Sequence, residues 1–528
     1  MVGFDLREEP WIPVRWEGGA SGSCGLQELF HRAHEIVDVE LPVPPAAAGL
    51  LRVLAVMTAR IARSSTGVAL DDEDLAAEVG DWLEARSDIL AEGRFDAKAV
   101  DAYFDETMPE VRFDLFDPVR PFLQDPRLRG ECRDSKGVPV SSGVNKLVVQ
   151  RPTGVNGAVL FGHFNDVHPV AVPAGQAAWY LLAQLFNGAG GKCTPRQLGE
   201  AKTGVVEAAP LRGVVSYFPW ASNLFTTLLL AVPVPGQGAE PDPADAAPWE
   251  ADALSDPLGV LPSLTWPAGL LTGRFRHAIL LEPSPDHRQV VDARITWSTH
   301  TPALSVRDPY VIWERRKDGW AARDADGHRA LWRDLDALLL KDTDARAQRP
   351  LAFNDLPASL RGQLAVRAYG FDQDRAQVVD RTWFEASTPP VLQWQEEADP
   401  VMARHIARCH TAAEAVGERL EWAAKLAWKL ATDAGAAEEA KPKVDHKKPG
   451  PWAAAALRHY WPRAEAQFWH LTTPGLVDQA ALPVMVEAAL AALDQAVGRV
   501  NRADIRVARA RSRARAALRG LLRTTTAA

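Results

Sequence analysis

The sequence predicts an α+β protein, with a large mixed α/β domain over residues 1–388 followed by a C-terminal four-helix bundle over residues 389–528. Three observations lead to this fold class. The chain has 528 residues, of which 47% are hydrophobic and 24% are charged, so it is long enough for two or three domains with buried cores. Before residue 388, short β-prone runs alternate with helical stretches and proline-rich connections. After residue 388, apolar residues recur at the spacing of amphipathic helices.

The first predicted strand lies close to the N-terminus, around Trp11. Pro10 and Pro13 keep the backbone extended there, while Ile12 and Val14 have high β propensity. We therefore expect this strand to hold the N-terminus in a sheet. Further strands are predicted over residues 276–281, 294–297 and 310–313.

The C-terminal region is predicted to be helical. Asp399 and Pro400 start an amphipathic run that continues to Ala431, and a polar connection follows over residues 435–451. Two or three more helices are predicted over residues 452–522, which makes four antiparallel helices the simplest packing. Inside the large domain, residues 233–248 are rich in Pro, Ala, Gly and Asp and are predicted to form an exposed loop.

The composition argues against several classes of protein. Four cysteines lie far apart without a C-x-x-C pair, which argues against a disulfide framework and a structural zinc site. The N-terminus shows no signal sequence, and the longest apolar runs, such as residues 224–235, are shorter than the ~20 residues needed to cross a bilayer. We therefore expect a cytoplasmic protein without a membrane partner.

Charge is distributed unevenly along the chain. The net charge is −9, yet residues 499–523 contain nine arginines and a single acid, Asp504. Arg502, Arg506, Arg509 and Arg513 recur every three to four residues, which predicts a helix with one basic face. This face is interpreted as a phosphate-contacting surface. The alternative is a solvated face of a bundle helix that uses Arg as a good helix former.

The segments that resemble enzyme motifs lack residues or neighbouring structure that those motifs require. Residues 187–194 resemble a phosphate-binding loop, but Phe186 and Cys193 stand where that motif needs Gly and Ser or Thr, and a helix-like run precedes it. His405, Cys409 and His410 lie within one or two helical turns, but no second ligand cluster accompanies them, so a packed helix face is preferred to a metal site. No nucleophile, base and orienting acid share a recognisable spacing. We expect no catalytic activity, no cofactor and no metal.

Short blocks follow one another along nearly the whole chain: residues 4–16 (FDLREEPWIPVRW), 25–34 (GLQELFHRAH), 120–124 (RPFLQ), 264–267 (LTWP), 308–310 (DPY) and 332–333 (WR). In this order they resemble the CasA family, which supplies the large subunit of the type I-E CRISPR Cascade surveillance complex. The resemblance implies a mixed N-terminal domain and a C-terminal four-helix bundle. Some relatives carry a cysteine-rich zinc loop that this sequence lacks, so no metal is carried over.

The resemblance also implies a function. A subunit of this kind is non-catalytic, recognises the short protospacer-adjacent motif (PAM) in double-stranded DNA, helps to start unwinding and R-loop formation, and recruits a separate helicase-nuclease. Its implied partners are the duplex DNA target, the guide-RNA-loaded Cascade subunits and the CRISPR helicase-nuclease. In RNA-guided recognition, base pairing reads the long target while protein groups read only a short duplex tag.

Four segments match the family's nucleic-acid-binding positions. Phe164 and Asn165 match a loop that reaches toward the guide's 5′ end and the PAM, with an ordinary exposed connection as the alternative. Residues 198–204 resemble a glycine loop in which Gly199, Lys202 and Gly204 approach the DNA, with a helix cap at either glycine as the alternative.

The other two segments each contribute one side chain. Arg294 matches a minor-groove-reading lysine, although Arg274 or Arg276 takes that place if the alignment shifts, and a surface ion pair is the alternative for any of them. Gln373 matches a wedge glutamine that parts the first base pair, and a polar turn residue is the alternative.

Two other functions stay open from the sequence alone. One is a hydrolase or nuclease whose site residues are scattered along the chain. The other is a helical interaction scaffold that does not bind nucleic acid and uses its arginine face to dock an acidic partner.

Overall fold

A computed structural model describes residues 3–66, 75–107, 110–149, 151–154, 162–261, 263–301, 307–343, 346–374, 379–433, 444, 449–473, 475–498 and 505–524. The chain divides into two compact units: a large unit, Met1–Leu331 with Asp344–Gln393, and a small unit, Trp332–Thr343 with Trp394–Ala528. The domain boundary predicted near residue 388 stays a prediction.

The strands of the described residues are, in chain order, β1 (Ile12–Trp16), β2 (Ser21–Cys24), β3 (Ile36–Val39), β4 (Val172–Pro173), β5 (Gly191–Leu198), β6 (Ala201–Val206), β7 (Val215–Trp220), β8 (Glu240–Pro241), β9 (Thr265–Trp266), β10 (His277–Pro283), β11 (Gln289–Trp297), β12 (Trp313–Arg316), β13 (Gly319–Ala322), β14 (Asp342–Thr343), β15 (Ala347–Gln348), β16 (Ala365–Asp374) and β17 (Val379–Ser387).

The α-helices are α1 (Leu26–His31), α2 (Pro44–Thr66), α3 (Leu75–Glu92), α4 (Ala97–Asp101), α5 (Leu128–Glu131), α6 (Val144–Leu147), α7 (Ala174–Asn187), α8 (Leu224–Ala231), α9 (Ala268–Thr272), α10 (Leu335–Leu339), α11 (Pro400–Thr432), α12 (Pro451–Leu471), α13 (Ala481–Val497) and α14 (Ile505–Thr524). A π-helical turn lies at Ala102–Thr107, and 3₁₀ turns lie at Glu110–Phe113, Leu331–Asp334, Leu351–Phe353, Arg361–Gln363 and Leu392–Trp394.

Most strands of the large unit form small antiparallel sheets, whereas β8 and β9 pair in parallel. The N-terminal sheet has the order β2-β1-β3, with Ile12 opposite Cys24 and Val14 opposite Val39. Two further sheets have the orders β10-β11-β4 and β17-β16-β7, and β5 pairs with β6 as a hairpin. The predicted N-terminal strand is therefore confirmed, and Trp11 is buried beside it with its indole N–H donating to the Leu6 carbonyl over 2.9 Å.

Helix α2 is the core helix of the large unit. By length and composition α2 is apolar enough to cross a membrane, so the prediction that all apolar runs are too short is wrong for it. However, 94% of its apolar stretch is buried inside the structure, as expected for a core helix. It also buries the guanidinium of Arg52, which contacts Asp308 at 2.9 Å and the Ser216 hydroxyl at 3.1 Å.

Two local predictions for the large unit need correction. The strand predicted over residues 310–313 begins only at Trp313, because the Asp308 carboxylate accepts the Tyr310 amide at 2.9 Å and turns the chain. Residues 233–248 are not simply an exposed loop. Val234 and Ala247 are buried, β8 pairs with β9, and the Asp245 carboxylate accepts the amides of Ala268 and Gly269 at 3.0 Å.

The small unit confirms the predicted helical C-terminal region. Asp399 caps α11 by accepting the Met402 amide at 2.9 Å, and Pro400 occupies the first turn. Three more helices, α12 to α14, follow within the described residues. Ala510, Ala514 and Leu518 are buried along one face of α14, as the apolar spacing predicts.

Candidate nucleic-acid interface

A cleft of about 150 Å³ in the large unit brings basic side chains from several segments together. We call it the basic cleft and define it by Lys146, Arg151, Lys192, Arg212 and His277. No Asp or Glu occurs among the described residues that line it. Because the chain as a whole carries a net charge of −9, this acid-free lining concentrates positive charge locally.

Helix α6 and the segment after it form one side of the basic cleft. Asn145 is buried and donates from its amide to the Asn165 carbonyl and to the Asp166 carboxylate, both at 2.9 Å. Arg151 donates to the Val170 carbonyl at 2.8 Å, and its guanidinium lies 4.2 Å from the centre of the Phe164 ring. The predicted loop at Phe164 and Asn165 is thus tied to the wall of the cleft.

The loop around Asn165 has a defined conformation. The Asn165 side-chain oxygen accepts the amides of Val167 at 3.0 Å and His168 at 2.8 Å, which is an Asx turn. Asn165 therefore shapes the loop, while Phe164 supports Arg151.

The β5–β6 hairpin supplies another side of the basic cleft. Its near end contributes Lys192, which is exposed, and Cys193. Gly199 lies at the far turn with φ +60°, a conformation that favours glycine, so it is a hairpin turn and not a helix cap. Lys202 is exposed opposite Gln197, and Gly204 lies inside β6, so neither of them lines the cleft.

Arg212 forms the inner wall of the basic cleft. It donates from Nη1 to the Asn187 carbonyl at the C-terminal end of α7 over 3.0 Å, and its guanidinium lies 4.4 Å from the centre of the Phe371 ring. A cation is favoured at a helix C-terminus. Burial lowers the pKa of Arg212 to about 10, which still leaves it charged at neutral pH.

Gln373 is held by Arg212, whose Nε donates to the Gln373 side-chain oxygen at 2.8 Å. Gln373 was expected on a turn, but it lies in β16 directly after a register shift at Asp372. The extra residue of this irregularity lies in β17, between Asp380 and Thr382, and a bulge of this kind bends the strand pair locally.

His277 and Cys193 complete the cleft without forming a catalytic pair. Burial lowers the pKa of His277 to about 4, so the ring is neutral at pH 7 and donates from Nε2 to the Ala189 carbonyl at 3.1 Å. Its buried Nδ1 has no hydrogen-bond partner among the described residues. Burial raises the pKa of the Cys193 thiol, and its sulfur contacts the Thr296 hydroxyl at 3.6 Å.

The three arginines considered for minor-groove contact all face carboxylates. Arg294 pairs with Glu282 and is largely buried, Arg276 pairs with Glu207, and Arg274 lies 3.9 Å from Asp308. Of the three, none lines the basic cleft.

In the small unit, helix α14 carries the predicted basic face. Arg506, Arg509 and Arg513 are exposed on it, whereas Arg502 lies outside the described residues. The cluster at His405, Cys409 and His410 packs instead as the preferred interpretation predicts: His405 contacts the Leu471 carbonyl at 3.0 Å, and His410 contacts Asp336 at 3.1 Å. Within the described residues, no group of three or more His, Cys, Asp or Glu side chains is placed to hold a metal ion.

Sequence reasoning missed Lys146, Arg151, Arg212 and His277. A usable signal was present, since residues 143–154 carry two cations and no acid. Lys192 stood in the rejected phosphate-loop segment, which leads from helix α7 into strand β5, the reverse of the strand-to-helix order that the motif needs.

The fold and the cleft define a two-unit α+β protein whose large unit carries a cleft lined by basic side chains and by no described acid. A sequence profile of the family described as CRISPR-associated protein Cse1 matches residues 5–503. The chain belongs to this family, and the predicted resemblance is confirmed.

Solved structures agree with this assignment. A chain of a "CRISPR RNA-guided surveillance complex" is 39% identical with a TM-score of 0.84, covering 98% of this chain and 100% of that one. The same identity holds for a chain of a "CRISPR RNA-guided surveillance complex, pre-nicking", with a TM-score of 0.75 and 98% of each chain covered. Cse1 from Acidimicrobium ferrooxidans, at 23% identity and a TM-score of 0.72 over 99% of this chain and 98% of that one, shares the fold. Comparison with curated protein sequences gives no match.

Proposed function

We propose that this chain is the non-catalytic large subunit of a CRISPR RNA-guided surveillance complex, where it recognises the PAM in duplex DNA, helps to start unwinding and recruits a helicase-nuclease. Its similarity to chains of two such complexes over 98% of its length supports the assembly role. The observation that carries the nucleic-acid role is the acid-free basic cleft.

The cleft suits backbone contact better than catalysis. Lys146 and Lys192 are exposed at its edge, where an ammonium can meet a phosphate without the cost of burial. His277 contacts the Ala189 carbonyl and the Cys193 sulfur contacts the Thr296 hydroxyl, so no hydrogen bond joins these two side chains as a nucleophile and its base. These features favour binding over the hydrolase alternative.

Two side chains lie next to cations of the cleft: Gln373 beside Arg212 and Phe164 beside Arg151. In the proposal, Gln373 acts at the end of the β16–β17 hairpin as the element that parts the first base pair. The guide or the duplex backbone is contacted by two further segments, namely the loop at Phe164 and Asn165 and the hairpin residues Gly199, Lys202 and Gly204. Arg294 reaches the minor groove only by leaving Glu282.

The test uses the chain assembled with its guide-loaded partners. A Lys146→Gln, Lys192→Gln variant should bind PAM-bearing duplex with a shallower dependence of log Kd on log salt, by roughly 0.9 for each phosphate that a lysine no longer neutralises. The matched control is Lys98→Gln, Lys136→Gln, which removes two exposed lysines outside the cleft. Equal salt dependence of both variants, or metal-dependent DNA cleavage by the isolated chain, would count against the proposal.

A further inference from the structure

A second cavity of the large unit, of about 320 Å³, has a different chemistry from the basic cleft. Its walls are mainly apolar and include Leu211, Val214, Leu264 and Val311. Two indoles, Trp313 and Trp320, also line it, and we call it the aromatic cavity. Residues 206–214 supply lining to both cavities, since Val206 and Arg212 face the basic cleft while Leu211 and Val214 face the aromatic cavity.

The β12–β13 hairpin forms one wall of the aromatic cavity. Lys317 and Asp318 make its two-residue turn, and Gly319 follows with φ +123°, which favours glycine. Trp320 lies directly opposite Arg315, so the indole and the guanidinium extend from the same face of the hairpin. Trp320 is 38% exposed and is the only exposed aromatic side chain among the described residues.

Two of the cavity residues each have a buried N–H group without a hydrogen-bond partner among the described residues. Arg276 is 6% exposed, and its Nε has no hydrogen-bond partner among the described residues, although its Nη2 donates to the Thr301 carbonyl at 2.8 Å. The indole N–H of Trp313 is likewise buried without a partner there. An unsatisfied buried donor costs about 1–3 kcal/mol, and both of these N–H groups are closed off from solvent. Asp308 adds an acceptor to the same lining.

The combination selects a flat ligand with apolar faces and a hydrogen-bonding edge. An aliphatic side chain of a partner protein fits the apolar walls but offers no hydrogen bond to Arg274 and Asp308, which also line the cavity. The rim adds a further preference, because Arg315 and Lys317 are exposed on the hairpin and can meet a phosphate backbone, while the neighbouring Arg316 pairs with Asp324 at 3.0 Å. A nucleobase on a sugar-phosphate chain suits the apolar walls, these polar side chains and the rim together.

We propose that the aromatic cavity binds one unpaired nucleobase of a single-stranded segment, with Trp320 stacking on the base and the hairpin cations contacting the adjacent phosphates. This inference rests on the proposed function only in that the chain meets nucleic acid. It assigns a site separate from the basic cleft.

The test uses the full chain and a short oligothymidylate that carries one 5-iodouracil, a base that crosslinks to a stacked aromatic ring on illumination. We expect the crosslink on a peptide that contains Trp313 or Trp320. Trp320→Ala should weaken binding of the oligonucleotide roughly 5- to 150-fold, which corresponds to the loss of one stacked base. Trp422→Ala is the matched control, since Trp422 is partly exposed beside Arg419 and lies outside the cavity.

Two results would overturn the site. One is an unchanged affinity of Trp320→Ala together with crosslinks elsewhere. The other is protection of Trp320 from oxidation in the assembled complex before DNA is added, which would make the cavity a docking site for another subunit. PAM-dependent duplex binding by the assembled Trp320→Ala variant separates the two proposals, because it persists if the base site alone is wrong.

Discussion

Arg212 donates from Nε to the side-chain oxygen of Gln373 over 2.8 Å, which ties the segment after β6 to the end of the β16–β17 hairpin. The same guanidinium donates to the Asn187 carbonyl, so Arg212 links the helix end, the hairpin and the basic cleft. If Gln373 enters a DNA fork, Arg212 must exchange this oxygen for another acceptor. A phosphate of the opened strand is a suitable replacement, because charge-assisted hydrogen bonds are the stronger ones.

We expect Gln373→Ala to spare initial duplex binding and to impair strand separation on linear DNA. The alanine cannot replace base stacking and hydrogen bonding at the fork, where opening costs a few kcal/mol per step. Negative supercoiling should partly restore opening, because it lowers that cost. Permanganate reactivity of unpaired thymines in the assembled complex measures the opening, and electrophoretic mobility shift measures the binding.

Gln373→Glu serves as the companion variant. It keeps an acceptor for Arg212, so its melting temperature should be retained, whereas Gln373→Ala removes the acceptor of a largely buried donor and should cost about 1–3 kcal/mol of stability. Parallel losses of binding and opening in Gln373→Ala would show that Gln373 is not a wedge.

The small unit should lose stability as pH rises from about 6.5 to 9. Contacts of His410 with Asp336 at 3.1 Å and Glu414 at 3.3 Å outweigh burial and raise its pKa to about 9. Because the folded pKa lies above the unfolded value, the stabilisation is complete below pH 6.5 and is lost as pH passes through 9. The effect amounts to at most about 3 kcal/mol. Urea unfolding at several pH values measures it.

His410→Gln is the variant that isolates this effect. Arg333, which donates to Glu414 at 2.8 Å, remains in this variant. The variant should therefore be less stable at pH 6 and should show little change in stability between pH 6.5 and 9. An unaltered pH slope in His410→Gln would assign the effect to another group.

Breaking the ion pair of Arg52 and Asp308 should lower the free energy of unfolding substantially. Arg52 is 1% exposed in the core helix α2 and contacts Asp308 at 2.9 Å. Asp308→Ala leaves a buried guanidinium without its carboxylate, a change that typically costs about 3–5 kcal/mol. Thermal unfolding of the isolated chain measures the loss. The double variant Arg52→Met, Asp308→Ala should recover part of it, and a loss equal to or greater than that of the single variant would contradict this explanation.

Local sequence patterns predicted the elements whose signal is periodic. The run from Pro400 to Thr432 became one helix, and the apolar face of α14 is buried where its spacing placed it. By contrast, the sequence pattern did not predict α2 as a long apolar helix, because Arg52, Arg60 and Arg63 interrupt its apolar run. Tertiary structure pairs two of these charges with carboxylates: Arg52 meets Asp308 at 2.9 Å, and Arg60 meets Asp245 at 2.8 Å and Glu250 at 2.9 Å.

The candidate site was predictable only in its parts. The family resemblance pointed to Phe164, Gly199 and Gln373, which lie on three separate segments. Two arginines join these residues to one cleft: Arg151 contacts the Phe164 ring in the next loop, and Arg212 contacts the Gln373 amide, which is 161 residues away in sequence. Long-range contacts of this kind leave no local spacing for sequence analysis to detect.

Variants of the basic face of α14 test whether the small unit contacts nucleic acid or whether this face is only structural. Arg506, Arg509 and Arg513 are exposed there, so replacing all three with Gln keeps long, helix-compatible side chains and should leave the bundle folded. If each arginine meets a duplex phosphate, the salt slope of binding by the assembled complex should fall by roughly 0.9 per phosphate, or about three in total. Interactions with a displaced single strand would reduce the slope by about 0.7 each.

A matched control variant removes three positive charges from other helices of the small unit. Arg404, Arg408 and Arg458 are exposed on α11 and α12, and their replacement with Gln should leave the salt slope unchanged. PAM preference should be unaffected in both variants, because phosphate contacts carry no direct sequence information. If the α14 variant is folded, incorporates into the complex and still shows the parental slope, its arginines are a solvated helix face, and an acidic protein partner becomes the better explanation for their clustering.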